Sequence, residues 1–124
     1  MGYRIPSFKD LEVWRKAMGL VREIYAVTKA YPPDEKYGLT AETRKTARSI
    51  PANIAEGKMR TSGRDFRRFV SIALGSAGEL QTQLLIAADQ GYLPEAQVAA
   101  RECDIQEIGR MLRGLEQALG DRSA

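Results

Sequence analysis

The sequence contains no histidine. That absence removes the imidazole base, the usual nucleophile–base triads and every metal site built on a His ligand. A di-metal centre inside a helix bundle is excluded with them, since it needs Glu-x-x-His pairs. Cysteine occurs once, at Cys103, so neither an intrachain disulfide nor a thiolate metal cluster can form. Glu102 and Asp104 beside it offer nothing to activate a thiol, and Cys103 reads as buried and inert. Long apolar runs are missing too. The longest, such as residues 84–88, falls far short of the about 20 residues that cross a bilayer. Residues 1–7 lack the apolar core and cleavage site of a signal peptide, so the expected compartment is the cytoplasm. No phosphate-cradling Gly-x-x-x-x-Gly-Lys-Ser/Thr run and no Gly-x-Gly-x-x-Gly turn is present. The sequence therefore predicts a non-enzymatic protein with no cofactor and no bound metal.

What is present is an ordinary globular composition, 44% apolar and 28% charged over 124 residues, which fits one domain spanning residues 1–124. Order is expected over about 7–120. The formal charge is only +3, but it is unevenly placed. Residues 37–68 carry eight basic and three acidic residues, while residues 94–124 carry four basic and six acidic. A small net charge matters to a partner only when it is grouped in this way.

Apolar spacing reads as four helices. Ser7-Phe8-Lys9-Asp10 has the form of a capping box, and predicts a first helix starting near Phe8. Two seams follow: Leu11, Trp14, Met18, Val21 and Tyr25, and beside it Val13, Ala17, Leu20, Ile24 and Val27. So wide an apolar face needs cover from more than one direction. Tyr31-Pro32-Pro33-Asp34 stops this helix. A second helix is expected from about Leu39 to Glu56, opened by Thr40 and closed by Gly57 as a left-handed cap. Pro51 inside it predicts a kink, with Ser49 and Asn53 placed to satisfy the freed carbonyl. Phe66, Val70, Ala73, Ala77, Leu80, Leu84 and Ala87 mark a third helix, whose Gly75 and Gly78 imply a closely approaching neighbour. After Gly91-Tyr92-Leu93, Pro94 opens a fourth helix carrying Val98, Ile105, Ile108, Leu112, Leu115 and Leu119 and ending at Gly120. With no strand signal, the simplest arrangement is an all-α, antiparallel up-and-down four-helix bundle.

Three blocks carry a more specific signal: Phe8-Lys9-Asp10-Leu11-Glu12-Val13-Trp14, then Tyr37-Gly38-Leu39-Thr40, then Ser49-Ile50-Pro51-Ala52-Asn53-Ile54-Ala55-Glu56-Gly57. Together with Phe66, Phe69, Glu79, Leu80 and Gly91-Tyr92-Leu93 they cover about residues 7–93. In these blocks the chain resembles the four-helix-bundle family first named from open reading frames in intervening sequences of bacterial large-subunit ribosomal RNA genes. The resemblance implies a ring-shaped homopentamer. A related branch, the accessory variability determinants of diversity-generating retroelements, binds reverse transcriptase and nucleic acid through a basic surface, which implies RNA, DNA and a partner enzyme as possible partners here.

Two groups of residues are candidates for function. Arg44, Lys45 and Arg48 lie toward the start of the second helix, and Lys58, Arg60, Arg64, Arg67 and Arg68 surround the turn into the third. Nucleic-acid contact is one reading of these eight. The other is a solvated face, or intersubunit salt bridges to Glu102, Asp104 and Glu107. On the first helix, Val13, Trp14, Ala17, Met18, Leu20 and Ile24 are candidates for a subunit boundary closed by a repeated head-to-tail contact. A purely structural protein-interaction module without a nucleic-acid role is the alternative function.

Overall fold

The computed structural model describes residues 7–123. Four long helices, α1 (Glu12–Thr28), α2 (Leu39–Met59), α3 (Gly63–Asp89) and α4 (Glu95–Ser123), form an all-α bundle with no strand among the described residues. Consecutive helices pack together and α1 closes on α4. No described helix is long and apolar enough to cross a membrane. The expected disorder ahead of Pro6 falls outside the described residues, and the expected end at Gly120 is corrected by a helix that continues to Ser123.

The Ser7 capping box forms, with Lys9 N–H donating to the Ser7 hydroxyl and Ser7 N–H to the Asp10 carboxylate. It caps a short 3-10 turn, Phe8–Asp10, and not α1 itself. Leu11 is extended, so the first α-helical residue is Glu12. The turn folds the Phe8 ring edge-on to Trp14 at 5.2 Å between centres.

One of the two seams of α1 lies inside. Val13, Ala17, Leu20 and Ile24 are at most 5% exposed, packed against Ile50, Ile54, Leu80, Leu84, Ile108 and Leu112. These four belong to the chain's own core and leave nothing for a neighbouring subunit, which corrects their assignment to a boundary. Trp14, Met18 and Val21 stay half-buried at its edge.

Glycine works where the sequence reading did not place it. Gly57 is a buried helical residue inside α2 and not a left-handed cap; Gly91, at φ 79°, is the positive-φ glycine among the described residues. A Cβ at Gly57 would lie 2.8 Å from Phe69 Cβ and 2.9 Å from Phe66 Cδ1, so the start of α3 rests directly on the α2 backbone. Gly75 and Gly78, by contrast, have nothing within 4 Å of a built Cβ. Close helix approach belongs to Gly57.

α2 runs unbroken through Pro51, whose ring frees the Ala47 carbonyl. The polar neighbours serve other carbonyls: Ser49 Oγ donates to Thr46 at 2.6 Å, and Asn53 Nδ2 to Ser49 at 2.7 Å. Thr40 is buried and caps nothing, while Glu35 Oε1 accepts the Leu39 N–H at 3.0 Å in its place. Tyr92 donates to the other oxygen of Glu35 at 3.1 Å, and its ring lies 5.7 Å from that of Tyr31. The α1–α2 loop is thereby tied to the α3–α4 turn. Burial pushes the Tyr31 hydroxyl up to about 12, and the Glu35 carboxylate raises that of Tyr92.

Cys103 is exposed, not buried. It stands two residues before buried Ile105, about 200° away around α4 at 100° per residue.

Candidate nucleic-acid interface

The eight candidate cations separate into groups with different environments. Near the start of α2, Arg44 is half-buried and turned toward the end of α1. Its Nε donates to Thr28 Oγ1 at 2.8 Å and its Nη2 to the Tyr25 carbonyl at 3.4 Å, while the guanidinium lies 4.8 Å from the Tyr25 ring centre. Thr28 Oγ1 in turn donates to the Ile24 carbonyl at 2.7 Å. A cation on the last carbonyls of a helix also complements its dipole. Arg48, one turn on, donates to the Tyr25 hydroxyl at 2.8 Å. These two arginines fasten α1 to α2. Lys45 does not share their face: it lines the α2–α3 groove with Glu42, Ser49, Asn53 and the exposed Ile72 and Ile86.

At the other end of α2 the cations face outward. Only residues 60–62 separate α2 from α3, and the Ser62 hydroxyl caps α3 by accepting the Asp65 N–H at 3.1 Å. Arg64, Arg67, Arg68 and Ser71 then fall on one face, since positions three and four apart are helix neighbours. With Glu116 of α4 they line an open groove of about 470 Å³. Arg67 is steadied from α4, its Nε donating to the Glu116 carbonyl at 3.2 Å. Arg64 makes no ion pair among the described residues. The first-turn amides of α3 add positive partial charge beside these side chains.

Phe69 was legible only as part of a family resemblance, yet it organises this corner. The residue is 7% exposed, and two guanidiniums lie over its ring: Arg60, just past the end of α2, at 4.8 Å and Arg68 from α3 at 4.5 Å from the ring centre. Lys58 lies 6.0 Å from the Phe66 ring centre. The carboxylates present are Glu56, paired with Arg60 at 2.9 Å as its four-residue spacing implies, and Asp65, loosely beside Arg68 at 3.9 Å. Both pairs are substantially exposed, and such pairs contribute little. Five cations thus face three carboxylates, Glu56 and Asp65 at the turn and Glu116 across the groove.

Acidic residues offered as intersubunit partners are occupied within the chain. Glu102 accepts from Gln81 at 2.7 Å, Asp104 pairs with Arg101 at 3.4 Å, and Glu107 pairs with Arg110. Arg101, which the sequence reading passed over, also reaches Glu23 at 2.9 Å and joins α4 to α1.

On the α1–α2 face, Phe8, Trp14, Met18 and Val21 stand opposite Pro51, Ala52 and Ala55 across an apolar groove of about 370 Å³, with Arg48 at its edge. The groove exists because large side chains of α1 meet small ones of α2.

The sequence matches the 23S rRNA-intervening sequence protein family over residues 9–114. The chain belongs to that family. A crystal structure from Bacteroides thetaiotaomicron VPI-5482, described as a protein with unknown function from the S23 ribosomal protein family, is similar at a TM-score of 0.78 and 24% identity, covering 85% of this chain and 95% of that one. At that identity the likeness concerns the fold. No curated protein matches. The structure explains part of the family resemblance physically: Gly57 and Glu56 build the cationic corner, and Gly38, Leu39 and Tyr92 build the loop tie around Glu35.

Proposed function

We propose that this family member is a non-enzymatic, cofactor-free antiparallel bundle that binds the phosphate backbone of RNA or DNA through the α2–α3 corner. The observation that carries this reading is the disposition of Lys58, Arg60, Arg64, Arg67 and Arg68 around one turn against Glu56 and Asp65, with Glu116 of α4 as a third carboxylate across the groove. Arg44 and Arg48 are left out of the site because their guanidiniums are engaged with Tyr25 and Thr28. The proposed setting is the cytoplasm, where the bundle serves as a scaffold on RNA or beside a nucleic-acid enzyme.

The same proposal includes a ring-shaped homo-oligomer, five copies being the number the family resemblance implies. The apolar α1–α2 groove around Trp14 and Met18 is the face we assign to the subunit boundary. Repetition of one modest cationic corner around a ring raises avidity without any new contact. Fluorescence anisotropy with generic RNA and DNA oligonucleotides tests the binding. Affinity falls with salt, each neutralised phosphate contributing a slope of about −0.7 on single strands and −0.9 on duplex DNA. Absence of binding at low salt overturns it. Light scattering coupled to size exclusion tests the ring, and a monomer of 13.8 kDa at every concentration overturns that part.

The groove also supports a second reading, a protein-interaction module with no nucleic-acid role. An assembled ring that ignores oligonucleotides at low salt would decide for it.

A further inference from the structure

Cations on a protein surface are usually mobile, and a ligand that captures them must freeze their side chains. Arg60 and Arg68 depart from that pattern. One comes from the residue that ends α2 and the other from the second turn of α3, they carry like charge, and yet both rest on the single ring of Phe69. The ring itself cannot move to suit them. Phe69 is buried, with its Cβ facing Gly57, where even one added methyl would collide at 2.8 Å. The aromatic face, negative in its quadrupole, holds each guanidinium by a cation–π contact and offsets part of the repulsion between the two. Glu56 accepts from Arg60 Nη2 at 2.9 Å, but both partners are about half exposed, where such a pair contributes little, and Asp65 stands 3.9 Å from Arg68.

We propose that Phe69 is a positioning residue: its ring presets Arg60 and Arg68 as a pair of guanidiniums that takes one phosphodiester of a polynucleotide backbone. This rests on the nucleic-acid reading above and deepens it. Arginine suits the task because its planar fork both stacks on an aromatic face and donates two parallel hydrogen bonds to phosphate oxygens, which a lysine ammonium does not. Arg64 and Arg67, farther along the same face of α3, then meet the next phosphates of the strand.

The test uses the full chain and a fluorescein-labelled oligouridine, chosen because it has no stable secondary structure, with anisotropy titrations across a salt series. Phe69→Leu removes the ring and leaves every charge in place. Affinity is expected to fall about five- to tenfold with the salt slope unchanged, since freeing two side chains adds an ordering cost on binding without changing the number of phosphates met. Phe69→Tyr keeps the ring and restores affinity. Arg60→Gln with Arg68→Gln also lowers affinity, and reduces the slope by about 0.7, the one phosphate that the pair neutralises on a single strand. Because Phe69→Leu touches a buried position, Arg60→Lys with Arg68→Lys supplies the same test at exposed positions. Charge is kept, stacking is weakened, and the expected result is weaker binding at unchanged slope.

Wild-type affinity in Phe69→Leu with a native circular dichroism melt overturns the proposal. So does wild-type affinity in the double lysine variant, or failure of Phe69→Tyr to restore binding. Failure of the wild-type chain to bind oligouridine at low salt overturns the nucleic-acid reading itself, an outcome distinct from the others.

Discussion

At the Leu39 end of α2 the guanidinium of Arg44 is taken up by the chain's own Thr28 hydroxyl, Tyr25 carbonyl and Tyr25 ring. At the Met59 end, Arg60 and Arg68 lie over an aromatic ring, and their side chains stay substantially exposed. Both ends look alike as runs of arginine in a sequence. What separates them is the partner: a carbonyl or hydroxyl consumes N–H donors, whereas a ring face holds the cation without using them, and at this end the one donor engaged is Arg60 Nη2, on the exposed Glu56 carboxylate. Counting charge locates basic residues, and only the identity of their neighbours tells structural cations from available ones.

The strongest way to break this comparison is to reverse charge at the exposed end. Arg64→Glu, Arg67→Glu and Arg68→Glu together are expected to weaken oligonucleotide binding more than 100-fold, about 3 kcal/mol at 1.4 kcal/mol per tenfold. The thermal midpoint should change by only a few degrees, read from the same preparation by circular dichroism. Arg44→Ala should do the opposite. Loss of charged hydrogen bonds worth about 1.5–3 kcal/mol lowers stability in urea unfolding, while affinity stays within about twofold. A collapse of binding in Arg44→Ala would erase the distinction between the two ends.

Glycines sharpen the comparison at smaller magnitude. Gly75→Ala and Gly78→Ala add a methyl to open space, and each should raise stability by about 0.8–1.0 kcal/mol through helix propensity. Gly57→Ala gains the same propensity but collides with Phe66 and Phe69; overpacking costs about 1–3 kcal/mol, so its net effect is zero or a loss. Parallel urea titrations of the three variants check this ordering. The smallest effect expected is at Glu56→Gln. An exposed four-residue helix pair contributes about 0.3–0.5 kcal/mol, so stability should drop by no more than that. Freed of its carboxylate, Arg60 should bind oligonucleotide slightly more tightly, at most about twofold by anisotropy.

Periodicity was enough to find the helices. The repeat from Val70 to Ala87 is buried as its spacing requires, and Ile50 and Ile54 sit in the core where their four-residue separation puts them. It was not enough to divide the two seams of α1, because hydropathy counts apolar residues without saying which neighbour covers them. Val13, Ala17, Leu20 and Ile24 went inward, and the bulkier Trp14 and Met18 stayed at the rim over Pro51, Ala52 and Ala55. Buried threonines hid part of α2: Thr43 and Thr46 lie on its core face although both count as polar. Gly57 misled because a glycine near a helix end is usually a cap, and a close contact with residues nine and twelve places later leaves no local trace. Phe69 was invisible as an organiser for the same reason, since one of its arginines reaches it from the connection nine residues earlier and the other from its own helix.

The three-residue connection between α2 and α3 has a temporal consequence. These two helices touch more extensively than any other pair, and joining them closes a very short loop at little entropic cost. Contacts so local in sequence form quickly, which makes the α2–α3 hairpin the expected first structure during refolding. Pulse-labelled hydrogen exchange should show its amides protected ahead of those in α4. Arg60, Arg68 and the ring between them all lie within that hairpin, whereas the Arg67 contact waits for Glu116. On a nascent chain, the cationic pair would therefore be complete while the final helix was still being synthesised.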